Sequence, residues 1–150
     1  MFIAKVTDGV IGEIIDFRTY FGKTNSVTDE QLAAQGFVRV NLFRDHDRLT
    51  QKLVPATPVL ENGWVYTVAV ADLTAEEIQS AKDSAMAQIR GQRNSLLAAC
   101  DWTQIADSTA DKTAWASYRT ALRNLPATIT GDPRTFKDWP HDPNWVDRTI

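Results

Sequence analysis

One cysteine, two histidines and two methionines are all that this chain offers of the residues that build redox centres and most metal sites. Cys100 stands alone, so no disulfide can close within the chain. His46 lies between Asp45 and Asp47, but neighbours in an extended loop point different ways. No second histidine or cysteine stands at ligand spacing, so a solvated turn is expected there. Glycine is sparse and dispersed, and no glycine-rich phosphate loop occurs. No serine, histidine and aspartate share a suggestive local context, and Asp101, Asp107 and Asp111 fall where helix caps explain them. The sequence therefore predicts no enzyme, no cofactor and no metal.

Charge of one sign is lacking too. Nineteen acidic residues face 16 basic ones for a net charge of −3, spread along the whole length. Without a basic stripe, nucleic-acid binding has no electrostatic support. Long apolar runs are absent: Trp64 to Ala71 is the longest apolar-rich stretch and is too short to span a bilayer, so no membrane partner is expected. The start, MFIAKVTDGV, carries Lys5 and Asp8 and no run of signal-peptide length. A reducing, cytoplasmic place of synthesis is the expectation.

What is present is a globular composition, 43% hydrophobic and 23% charged, enough apolar surface to form a core. Phe2 to Val6 alternates in strand fashion. Asp8-Gly9 then supplies the positive-φ positions of a tight hairpin, and Val10 to Phe17 returns. Residues 18–26, with Tyr20 and Phe21, read as a loop. Ser26 or Thr28 can cap one short helix that Gly36 ends. Phe37 to Phe43 reads as a strand. Leu53 to Leu60, holding Pro55 and Pro58, reads as an edge strand because proline cannot donate to a ladder. After the Glu61-Asn62-Gly63 turn, Trp64 to Ala71 alternates cleanly. Residues 1–73 thus predict a small antiparallel β-sheet with one short helix.

Thr74 with Glu77 makes a capping box, and no proline interrupts the chain from there to Ala99. A helix of about 25 residues would be ~37 Å long. Its stripe of Ile78, Ala81, Ala85, Ile89 and Leu96 is thin, and only Ile78, Met86 and Ile89 are large before Leu96. Such a helix is either a solvated spacer or packs its alanine-lined face closely on a partner or on a copy of itself. The second reading is favoured, because isolated polar helices of this length are uncommon. It makes Ile78, Ala85 and Ile89 partner-binding candidates and the chain a candidate homo-oligomer.

Asp101 can cap a short turn through Gln104, and Trp102 reads as a buried anchor at the corner. A helix from Asp111 to Leu125 carries Trp115, Tyr118, Leu122 and Leu125 at 3, 4 and 3 spacing. Arg119 and Arg123 lie beside that stripe, where their stems can cover aromatic surface. Pro126 is expected to stop the helix. Residues 74–126 therefore predict a long helix leading into a helical hairpin, in an α+β chain. Residues 127–150 form an extended arm, whose Trp139, Pro140 and Trp145 must lie along a surface, this protein's own or a partner's.

The run Arg93, Leu96-Leu97, Asp101-Trp102-Thr103-Gln104 and Asp107, followed by Trp115, Tyr118-Arg119, Leu122-Arg123, Leu125-Pro126 and Trp139-Pro140, resembles the bacteriophage tail assembly chaperone family. The resemblance spans roughly residues 90–142. It implies a non-enzymatic protein that binds a tail-fibre or baseplate protein during assembly. The alternative is a permanent component of the virion tail. It also implies the host cytoplasm as the place of synthesis, and the virion tail if the protein is retained.

Overall fold

A computed structural model describes residues 1–22 and 27–144. The chain is α+β and divides into two compact units, Met1–Leu73 and one beginning at Thr74.

In the first unit, β1 (Phe2–Thr7) and β2 (Val10–Asp16) are joined by Asp8 at φ 51° and Gly9 at φ 78°. This is the mirror-image turn that matches strand twist. Strand β3 (Phe37–Asn41) runs antiparallel to β1, and β4 (Gln51–Glu61) runs antiparallel to β5 (Trp64–Asp72). The strand order is β2-β1-β3-β5-β4. The sheet is not wholly antiparallel, because β3 pairs with β5 in parallel. Pro55 and Pro58 confine β4 to the edge, so its hairpin partner β5 takes the place beside β3 and runs in the same direction as β3.

Two short helices occur where one was expected. Helix α1 (Phe17–Phe21) forms in the predicted loop because the Asp16 carboxylate accepts from the Arg18 amide at 2.8 Å. Phe17 and Phe21, one turn apart, then stack at 5.0 Å. Helix α2 (Asp29–Ala34) starts on a Thr28–Gln31 capping box and is followed by Gly36 at φ 72°. One sheet face packs Ile3 and Phe37 against Phe17 and Leu32 of these helices. The other gathers Ala4, Val40 and Val65 with Val6, Ile11, Ile14 and Val38, as the sheet curls until β2 meets β4.

Past Asn41 the chain leaves the ladder, and Arg44 takes over the exposed side of β5. Its Nε donates to the Val68 carbonyl at 3.0 Å, its Nη2 pairs with Glu61 at 2.8 Å, and its guanidinium lies 4.0 Å over the Tyr66 ring. His46 is tied into the same turn, with Nδ1 2.8 Å from the Arg44 carbonyl oxygen.

The second unit opens with α3 (Ala75–Ala99). Thr74 accepts from the Glu77 amide at 3.2 Å, and Glu77 accepts from the Thr74 amide at 2.9 Å. A 3₁₀ turn (Asp101–Gln104) follows, then α4 (Lys112–Thr128), capped by Asp111 at 3.0 and 3.1 Å from the Thr113 and Ala114 amides. Pro126 does not end α4. The helix continues for two residues beyond it, since proline's fixed φ is helical and near the end it forfeits only one backbone bond. A second 3₁₀ turn (Pro133–Thr135) packs on α3. Among the described residues no helix is long and apolar enough to cross a membrane.

Candidate protein-binding corner

The core of the second unit is the α4 stripe. Trp115, Tyr118 and Leu122 bury against Cys100, with Leu96, Leu97, Ala110 and Trp139 around them. Leu122 is fully inaccessible, and Leu125 is buried one turn on. Trp115 meets Tyr118 edge-on at 5.7 Å, an arrangement that suits the ring quadrupoles. Burial pushes the Tyr118 hydroxyl up from its ordinary pKa, with Cys100 and Asp142 adding to the shift.

Arg119 is more than a cover for its neighbours. It is buried, and its guanidinium gathers three acceptors: the Leu97 carbonyl at 2.8 Å, Cys100 Sγ at 3.1 Å and Asp101 Oδ1 at 2.7 Å. The hydrogen bond to Asp101 raises its already high pKa further, so it is charged at every working pH. The last carbonyls of a helix lack internal partners and carry partial negative charge. Arg119 supplies one of those partners and so fastens the end of α3 to α4. Asp101 does not cap the turn as its position suggests, because its carboxylate is drawn to Arg119.

The corner also corrects the expectation for Trp102. Its side chain is not buried: the residue is 52% exposed, and Thr103 beside it is the one that is fully enclosed. Thr103 Oγ1 donates to the Cys100 carbonyl at 2.7 Å and accepts from Gln104 Nε2 at 3.0 Å, fixing which way the turn faces. Thr103 faces inward, while Trp102 and Ile105, which directly follows the turn, are both exposed, Ile105 at 54%. Trp102 still touches the core, with its ring 6.1 Å from that of Trp115.

The other candidates are distributed differently. On α3, Ile89 is buried, while Ile78 and Ala85 are half-buried. Trp139 and Pro140 are half-buried, with Trp139 packed on the Cys100–Trp115–Tyr118–Leu122 cluster and 5.5 Å from Phe136. Trp145 lies outside the described residues. The sequence predicts no role for Ile105, and Thr103 enters there only within the Asp101-Trp102-Thr103-Gln104 run. The available signal was an apolar pair three apart around a small hydroxyl residue, which reads as an exposed pair only once the facing of the turn is known.

Residues 86–144 match the family described as phage tail assembly chaperone protein. The match covers less than half of the chain and takes in the end of α3, the corner, α4 and the turn that follows, so this segment is similar to that family. No curated protein and no solved structure matches the chain.

Proposed function

We propose, taking the family of the carboxy-terminal unit as premise, that the protein is a non-enzymatic assembly factor that binds a phage tail-fibre or baseplate protein. One observation carries the reading. The family segment takes in the end of α3, the corner and α4, joined by Arg119 and the Trp115–Tyr118–Leu122 core, and this scaffold presents Trp102 to solvent. A rigid scaffold with an exposed tryptophan is suited to gripping another protein. The protein is made in the host cytoplasm and acts there.

A second reading, permanent membership of the virion tail, rests on the same surface. Mass spectrometry of purified particles separates the two. Absence from particles, with tails lost when the protein is not made, fits the assembly factor. A stoichiometric presence makes it a virion part. Normal tails in its absence would refute both.

A further inference from the structure

The corner is charged as well as apolar. Between Arg93 and Lys112 the sequence has Asp101, Asp107 and Asp111 and no basic residue. Asp101 directly precedes Trp102, and two-thirds of its side chain is exposed although Arg119 holds one oxygen from the buried side. Asp107 is exposed within the turn closed by the Ser108 amide on the Ile105 carbonyl at 3.2 Å. Asp111 is committed to capping α4, and Lys112 reaches back to the Ala106 carbonyl at 2.9 Å. Along the chain, exposed Trp102 and Ile105 are therefore flanked by two exposed carboxylates.

The pair is also held in place. Thr103 pins the turn, Arg119 pins the end of α3, and Trp102 rests against Trp115, itself against Tyr118. An aromatic fixed before binding loses little conformational freedom when a partner arrives.

We infer that this corner is the docking surface for the tail protein, and that it takes a segment placing an apolar side chain on Trp102 and Ile105 with lysine or arginine beside Asp101 and Asp107. The indole face adds to the attraction for such a cation. The inference rests on the proposed function and narrows it to one surface and one partner chemistry.

The test is site-specific photocrosslinking of the full chain in infected cells, with the probe at position 102, at 105, or at Ser80 on α3 as control, followed by identification of the crosslinked peptide. A tail-protein peptide with an apolar residue flanked by lysine or arginine, joined at 102 and 105 but not at 80, is the expected result. A tail protein joined only at Ser80 overturns the corner and leaves the proposed function standing. A second copy of this chain joined at 102 overturns the inference, since the corner would then be a self-interface. No tail protein at any position overturns both.

The captured tail protein, purified, then gives the energetic arm. Trp102→Ala should weaken binding about 30-fold, and Trp102→Phe only a few-fold, with thermal unfolding of the protein little changed in either. Asp107→Lys should weaken binding and flatten its dependence on salt. Wild-type affinity in Trp102→Ala, or a basic flank that binds equally well to Asp107→Lys, would overturn the inference.

Discussion

Arg119→Ala removes the side chain that joins α3, the corner and α4. The Leu97 carbonyl would lose its charged donor while keeping the Cys100 amide at 3.3 Å, and a hydrogen bond to a charged group is worth ~1.5–3 kcal/mol. The Asp101 pair contributes little, since that carboxylate is two-thirds exposed and exposed pairs are worth ~0–1 kcal/mol. Lost packing of the arginine stem adds about 1 kcal/mol. The expected loss is therefore about 2–4 kcal/mol for Arg119→Ala, against no more than ~1 kcal/mol for Asp101→Asn. Lysine at 119 should recover only part, because a single ammonium cannot reproduce a fork that reaches three acceptors. Urea unfolding followed by tryptophan fluorescence suits the measurement. Trp64 is the only tryptophan of the first unit, so a Trp64→Phe background leaves the signal to the second. A loss below ~1 kcal/mol for Arg119→Ala, or an equal loss for Asp101→Asn, would refute the clamp.

The two tryptophans of the corner should separate sharply. Trp115→Ala empties a buried site and should cost ~3–5 kcal/mol, while Trp102→Ala should cost under about 1 kcal/mol in the same urea titrations. Asp132 should make the second unit acid-sensitive. The Arg134 side chain holds its carboxyl down to about 2, with burial opposing and Lys82 adding slightly. Because the folded value is depressed, its stabilisation is complete above the unfolded value of about 4 and fades as pH falls towards 2. Melting curves from pH 5 downward should show a component in that window that Asp132→Asn lacks. Thr74→Ala should cost ~1 kcal/mol through loss of the α3 capping box, seen as earlier amide exchange in the first turns of α3. Deleting residues 136–150 should lower the stability of the second unit, because Trp139 packs on its core. An unchanged melt would show that this contact contributes nothing.

Much of the fold was legible because it depends on neighbours in sequence. Asp8-Gly9 needs only its own dihedral angles, the Thr28 and Thr74 boxes close over three residues, and the α4 stripe repeats within one helix. The parallel pairing of β3 with β5 could not be read locally. It follows from which strand the prolines push to the edge, a choice made by the whole sheet. The site was less legible for two reasons. Arg119 looks like a surface cation in sequence, and its role appears only when the end of α3 presents the Leu97 carbonyl 22 residues away. Trp102 looks like core because it is large and apolar. The turn's geometry, set by Thr103 and the Cys100 carbonyl, sends it outward instead.

The proposed function requires that this protein bind a tail protein through its carboxy-terminal unit. Its most direct measurement is recovery of the tagged full chain from infected cells, followed by reconstitution with the purified co-eluting protein and size-exclusion chromatography. One identified tail protein at a fixed ratio, lost with Trp102→Ala and retained with substitutions on α3 such as Ser80→Ala, is the expected result. Recovery of the chain alone, or of a complex indifferent to every change in the corner, would contradict it.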